Sequence, residues 1–533
     1  MPAHTTVSFE ETRMIFRSTA PDVEIPDVPL PQFVLGNAAR FGDRPALVDG
    51  TSGRVTTYAQ LARDVRCAAS GFARRGLKKG EVVAILSPNL PEYIVAFYSV
   101  ASLGAIVTPI NPMYTVEEVS KQLADAGARF LITIPQLLAT AREASGRARV
   151  EEVFVFGEAE GATPFASLLE GDGEVPEVEI DPREDVVVLP YSSGTTGVCK
   201  GVMLTHRNLV ANLAQLRGAG HDLSDDTLVC VLPLFHIYGL VAIANLAMFS
   251  GAKVVTMPRF DFAQLLKVMQ DYRVTFAHLV PPIIVALTKQ PVVEDYDLSS
   301  LRTIFSGAAP LGAELSRDCE ARLGCEVIQG YGMTEASPAT HITAPGRGRA
   351  GSVGVCVPNM ECKLVSVETG EEASGPGERG EVCVRGPQVM KGYLNCPEAT
   401  AQTLDAEGWL HTGDVAYADE DGYFFIVDRA KELIKYKAFQ VAPAELEALL
   451  LTHPSVADAA VVPSPDEEAG EVPKAFVVVR EGHGLTETEV LSFVASHVAP
   501  YKKVRRVEFV SQIPKSPSGK ILRRLLVARE REA

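Results

Sequence analysis

The chain has 533 residues, 47% hydrophobic and 22% charged, enough for roughly three to four domain-sized units with cores of their own. That balance excludes a disordered chain, a fibre and a small disulfide-stapled scaffold. The 50 Lys+Arg against 67 Asp+Glu leave a net charge of −17, which excludes bulk attraction to nucleic acid or an anionic membrane.

From residue 57 to 180 helical and strand patterns alternate. TYAQLARDVRCAASGFARRG reads as an amphipathic helix closed by Gly76, EVVAILSPN as a buried strand, YIVAFYSVASLGAIV as a helix packed on it, and AIVTPIN and RFLITI as further strands. The alternation resumes at Asp185 with DVVVLPYSSG, TLVCVLPL, AKVVTMP, VTFAHLVP and LRTIFSGAA. It predicts parallel sheets covered by helices. After about Gly351 the character changes to short alternating strands with Gly/Asp turns, EDG between two strand-like runs being a hairpin signal. From about Ala430 a helix (PAELEALLLTH), strands (VADAAVVPS, KAFVVVR, RRVEFV) and a helix (TETEVLSFVASHV) form a compact α+β tail.

The expected fold is therefore α/β, with a large N-terminal domain over 1–429 and a smaller α+β C-terminal domain over 430–533. Within the former, 16–184 and 185–350 are read as α/β subdomains and 351–428 as a small β subdomain. Asp428–Lys431 is the candidate hinge.

Nine cysteines are an odd number with no C-x-x-C pair. The closest spacings, Cys319/Cys325 and Cys356/Cys362, are too wide for a zinc ribbon and have no His at ligand spacing, so reduced thiols are expected. MPAHTTVSFEETRMIFRS lacks the apolar core of a signal peptide. The longest apolar stretch, 239–249, contains Asn245 and is too short to span a bilayer. REREA carries no lipidation or peroxisomal signal. The expectation is a cytoplasmic monomer or homodimer with no membrane or nucleic-acid partner.

YSSGTTGVCKG (Tyr191–Gly201) follows a strand-like run and combines two internal glycines, hydroxyl side chains and a lysine, the groups a phosphate needs around it. Gly201 follows Lys200 where a Walker A loop would carry Ser or Thr, so a P-loop ATPase is excluded. Further along stand QGYGMTEASP, GWLHTGD, DRAKELIKYKAFQ and PKSPSGKILRR. In order and spacing these five motifs resemble the adenylate-forming acyl-CoA synthetases. LPLFHIYGL, SGAAPLG and KELIKYKAFQVAPAELE are most similar to the 4-coumarate–CoA ligase branch, and the resemblance runs from about Phe16 to the end.

The resemblance implies activation of a carboxylic acid with ATP to acyl-AMP and pyrophosphate, then transfer to coenzyme A. Ser192, Ser193, Gly194, Thr195, Thr196, Gly197 and Lys200 would cradle the phosphates. Thr334 would bond the α-phosphate and Glu335 would carry Mg2+. Tyr331, between Gly330 and Gly332, would stack on adenine; Asp414 would accept the ribose hydroxyls, with Arg429 adding a contact. Lys520 would neutralise charge developing on the carboxylate and α-phosphate.

His236 and Tyr238 would flank the acyl group, His236 either as a pocket wall or as an acid–base group. Gly307, Ala308, Gly332, Pro338 and Ala339 would form small walls suited to a flat aromatic acid of the cinnamate or benzoate type. For the second step the C-terminal domain would turn about Lys431. Lys435 and Gln440 would then serve thioester formation, Lys437 and Ala438 would line the pantetheine channel, and Arg259 would meet CoA phosphates.

Two positions depart from the family pattern: Cys199 stands where Pro is usual and Ala438 where Gly is usual. A Cβ at 438 disfavours a positive φ and narrows the channel, which predicts intact adenylation and a slowed CoA step. The alternative is an adenylating enzyme that passes its acyl group to an amine or a carrier-protein thiol. A non-catalytic sensor is disfavoured because Glu335, Asp414, Arg429 and Lys520 are all present. The basic excess lies in the tail, where residues 502–533 hold 10 Lys+Arg against 3 Asp+Glu.

Overall fold

The computed structural model describes residues 14–171, 173–192, 199–437, 439–466, 469–516 and 519–532. Two nine-stranded sheets form the body. The first carries Val82–Leu86 at its centre, parallel to Ile106–Ile110 on one side and Ala128–Thr133 on the other. The second runs parallel through Glu326–Gly332, Thr303–Ser306, Phe276–Leu279, Thr227–Cys230, Lys253–Thr256 and Pro45–Asp49. Buried strands such as VVAIL are apolar on both faces because helices cover both sides.

The two sheets do not divide at residue 184. Pro45–Asp49 joins the second sheet beside Lys253–Thr256, whereas Val186–Val188 and Lys200–Thr205 join the first. Residues on both sides of the expected boundary thus cross between subdomains. Strand hydrophobicity says that a segment is buried but not which sheet buries it.

A third, antiparallel sheet contains Glu361–Val365, Gly380–Arg385, Leu410–Ala418 and Phe424–Arg429, with Phe16–Arg17 at its edge. The expected hairpin joins its last two long strands, with Gly422 at φ 80° in the turn. The fourth sheet pairs Val456–Asp466 with Gly470–Val479 and adds Ile434–Tyr436, Phe439–Val441 and Arg506–Phe509. Its apolar cluster, including Ile434, Leu446, Val461 and Val477, is separate from that of the body.

Helix starts are chemically explicit. Thr57 with Gln60, Thr115 with Glu118, Thr205 with Asn208 and Thr486 with Glu489 each form reciprocal capping boxes. The apolar run after LPLFH is a π-helical turn over Tyr238–Asn245 that continues as Leu246–Ser250. Among the described residues no helix is long and apolar enough to cross a membrane.

Candidate active site

Tyr191–Ser192 and Lys200–Thr205 pair antiparallel, Ser192 opposite Lys200, and so bring the two ends of the Ser/Thr/Gly loop together. Ser193, Gly194, Thr195, Thr196 and Gly197 lie outside the described residues. Ser192 Oγ donates to Glu335 Oε1 at 2.8 Å, and Tyr393 Oη donates to the same oxygen at 2.8 Å. Glu335 is only 3% exposed, so these hydroxyls offset part of the cost of burying its carboxylate. The Lys200 ammonium lies 5.3 Å from the Tyr393 ring centre.

Thr334 and Glu335 sit on a single helical turn that follows the strand Glu326–Gly332. Gly332 is required by close approach: a Cβ there would lie 1.9 Å from the Pro338 carbonyl oxygen, which accepts the Met333 N–H at 2.9 Å. At Gly330 a Cβ would meet the Phe305 ring at 2.5 Å. The two glycines flanking Tyr331 thus let its strand lie flush against its neighbours.

Tyr331 Oη donates to Asp414 Oδ2 at 2.7 Å, and Arg429 Nε faces Asp414 Oδ1 at 3.4 Å. Asp414 and Arg429 oppose one another across the hairpin. Burial and the neighbouring Asp414 carboxylate push the Tyr331 phenol well above its usual range, so it stays a donor.

Lys520 reaches this group from the C-terminal segment. Surrounding protein and the Arg429 guanidinium hold its ammonium below the usual lysine range, opposed by Asp414, Glu432 and Glu335. Its loop is held by the Lys520 N–H donating to Ser516 Oγ at 3.1 Å and the Ser516 N–H donating to the Lys520 carbonyl at 2.8 Å. Gly519, at φ 80°, would place a Cβ 3.0 Å from Val280 Cγ2, which explains the glycine before the lysine.

His236 Nδ1 accepts the Tyr238 N–H at 3.2 Å. Burial and then the Lys520 charge hold its pKa down at about 4. It is therefore neutral at pH 7 with a proton on Nε2, which favours a pocket-wall donor over a proton acceptor. The Tyr238 ring packs behind Gly307, where a Cβ would come within 2.9–3.0 Å of it. Its hydroxyl donates to the Phe305 carbonyl at 3.3 Å and lies 3.2 Å from His278 Nδ1. Tyr238, 9% exposed, thus packs directly against Gly307. Ala308 takes φ 69°, Pro338 is buried and Ala339 half-buried.

The residues read as serving the CoA step are not gathered here. Lys435 and Gln440 oppose one another on the hairpin Ile434–Tyr436/Phe439–Val441. Gln440 Nε2 donates to Glu368 Oε1 at 2.9 Å, and the Lys435 N–H donates to Glu471 Oε2 at 2.9 Å. Lys437 takes φ 54° beside Ala438, which lies outside the described residues. Arg259 and Lys431 are exposed.

Three residues have structural parts that motif reading missed. Tyr393, in KGYL, holds Glu335 through its hydroxyl. Asp428 accepts the Arg429 and Ala444 N–H groups at the candidate hinge, and burial raises its carboxyl. Arg523, three residues after Lys520, pairs with Glu432 and, at 2.6 Å, with Glu447. Tyr393 and Arg523 have partners distant in sequence, which no local pattern announces.

Comparison with known proteins agrees with this architecture. The AMP-binding enzyme family matches residues 35–394 and the AMP-binding enzyme C-terminal domain matches residues 445–520. A 4-coumarate–CoA ligase of Solanum tuberosum is 48% identical over 97% of this chain and 96% of its own. One from Petroselinum crispum is 47% identical over 97% of each chain. The crystal structure of an anthranilate CoA ligase in complex with anthranoyl-AMP superposes with a TM-score of 0.88 at 27% identity, covering 95% of this chain and 97% of the other. The chain belongs to the AMP-binding enzymes, with both the large domain and the C-terminal domain of that family.

Proposed function

We propose that this protein is an AMP-forming aromatic acid–CoA ligase of the 4-coumarate type. A carboxylate oxygen attacks the α-phosphorus of ATP and expels pyrophosphate, giving acyl-AMP. The CoA thiol, losing its proton, then attacks the acyl carbon and expels AMP. Near-full-length identity to 4-coumarate–CoA ligases favours CoA over an amine or a carrier-protein thiol as acceptor.

The observation that carries the reading is Lys520, on the C-terminal segment, lying in the electrostatic field of Asp414, Arg429 and Glu335 of the large domain. An ammonium held there meets negative charge as it builds on the α-phosphate, which supports assignment of this arrangement to adenylation. Thr334 stands beside Glu335 to donate to the same phosphate. Asp414, with one protein partner on each oxygen, retains lone pairs for two ribose hydroxyls. Tyr331 is anchored at its hydroxyl and offers its ring to the adenine.

The Glu335 carboxylate suits a hard cation. Both protein hydroxyls fall on Oε1, and no donor to Oε2 is seen among the described residues. Glu335 would hold Mg2+, which when bound shields the phosphate charges.

The small residues Gly307 and Ala308 beside the Tyr238 ring support a flat acid of the cinnamate or benzoate type. Domain rotation about Lys431 would exchange Lys520 for Lys435 and Gln440, with Lys437, Ala438 and Arg259 on the CoA path. Nine free cysteines fit a reducing compartment such as the cytoplasm. The deciding experiment offers cinnamates, benzoates and fatty acids with ATP and Mg2+, with and without CoA, read by mass spectrometry. CoA esters of aromatic acids support the proposal; acyl-AMP that never yields a CoA ester, or turnover confined to fatty acids, refutes it.

A further inference from the structure

Sequence spacing argued against a metal pair at Cys356 and Cys362 because no histidine stands near them along the chain. Strand pairing supplies one. Ala339–Ile342 runs antiparallel to Val355–Cys356 with His341 opposite Cys356. His341 Nε2, Cys356 Sγ and Cys362 Sγ all lie within 4.8 Å of one another. All three residues are at most 1% exposed.

We propose that His341, Cys356 and Cys362 form a binding site for a thiophilic divalent cation, Zn2+, beneath the nucleotide platform. His341 Nε2 and Cys356 Sγ are 3.5 Å apart. An imidazole nitrogen and a thiolate sulfur on one tetrahedral zinc stand about 3.5 Å apart, given bonds of about 2.0 and 2.3 Å. Two thiolates cancel the charge of the ion and a neutral imidazole adds none, so the loaded site is uncharged, as deep burial requires. Sulfur and imidazole donors select zinc over the magnesium suited to Glu335. Binding releases whichever thiol protons remain.

The other ring nitrogen is also held. His341 Nδ1 lies 3.1 Å from Thr340 Oγ1, whose hydroxyl is 3.2 Å from the Tyr331 carbonyl. The Tyr331 and His341 rings are 5.8 Å apart. Occupancy therefore bears on Tyr331, the residue that holds Asp414.

A second group, Glu381, Cys383 and His411, has comparable donors. There His411 Nδ1 faces Cys383 and Glu381 while Nε2 faces Asp405, and contacts with Cys383 and Glu381 raise the ring to about 10. A proton already does the work of a cation at that place, and it serves as the control.

The inference is independent of the proposed substrate and is tested without turnover. The full chain is incubated with excess Zn2+ or Co2+ and desalted, the metal is counted by mass spectrometry, and the cobalt form is examined for thiolate-to-metal charge-transfer absorption. One ion per chain and a thiolate band are expected, lost in Cys356→Ser and in Cys362→Ser and retained in Cys383→Ser. If the serine variants do not fold, anomalous scattering at the zinc edge from wild-type crystals places or excludes an ion among the three side chains. No retained ion, a band surviving both serine variants or lost in Cys383→Ser, or a Cys356–Cys362 disulfide in the isolated protein overturns the proposal.

Discussion

The 2.7 Å hydrogen bond from Tyr331 Oη to Asp414 Oδ2 joins the end of a strand in the second sheet to the hairpin of the third. It orients the aromatic ring and the carboxylate that the proposed mechanism assigns to the two halves of adenosine. Tyr331→Phe keeps the ring and frees the carboxylate oxygen. The expected result is a KM for ATP raised roughly tenfold, equivalent to about 1.4 kcal/mol, with kcat little changed. Steady-state kinetics with ATP varied checks it.

Lys520→Ala removes an ammonium that lies in the electrostatic field of Asp414 and Glu335. Acyl-AMP formation is expected to fall by a factor on the order of 10²–10³, as for loss of a transition-state charge partner. Conversion of synthetic acyl-AMP and CoA to the thioester is expected to survive, because the proposal assigns that step to Lys435 and Gln440. Measuring the two half-reactions separately decides it; equal loss in both contradicts the division of labour.

Gln440 is bonded to Glu368 across the domain junction rather than to the Lys520 site. Glu368→Ala releases that contact without touching the residues proposed for adenylation. Thioester formation from acyl-AMP should accelerate modestly, roughly twofold for an exposed hydrogen bond of about 0.5 kcal/mol, whereas Gln440→Ala should slow it. Stopped-flow measurement of the second half-reaction tests both.

Ala438→Gly should quicken the CoA half-reaction and leave pyrophosphate release unchanged if the added Cβ constrains the channel beside Lys437. Paired assays of pyrophosphate and CoA ester read the two steps independently, and equal effects on both reject the idea.

Burial holds His206, His221 and His236 down at about 4 and His278 at about 3. Such groups bind fewer protons folded than unfolded, so the stability they contribute is complete above pH 6.5 and is lost as pH falls towards 4 and below. Each contributes a slope of up to about 1.4 kcal/mol per pH unit within that window. Glu447, pushed up to about 7 by burial, works the other way between 4.5 and 7 and offsets one of them. His411, raised to about 10, contributes stability that is lost only above its ordinary pKa. Denaturant midpoints should therefore drop steeply below pH 6.5, and less steeply in His221→Gln once its lower starting stability is subtracted.

Strand and helix identities were legible because apolar runs such as VVAIL and capping pairs such as Thr57/Gln60 act locally. The motif residues Glu335, Asp414, Arg429 and Lys520 were legible because their neighbours in the chain mark them. Tyr393 was not, since its partner Glu335 is 58 residues away and a tyrosine in a strand reads as core. The crossing of Pro45–Asp49 into the second sheet was illegible for the same reason: parallel strands pair at long range, and hydrophobicity carries no address.

The sequence by itself determined the class of chemistry and the acidic body with its basic tail, because charge, glycine spacing and motif order are properties of the chain. Tertiary structure alone decided where these meet. It brought Lys520 into the electrostatic field of Asp414, parked Gln440 on Glu368, and brought His341 to two thiols that spacing had dismissed. Those outcomes depend on distances between strands remote in sequence, and hydrogen-bonded register, rather than residue order, sets such distances.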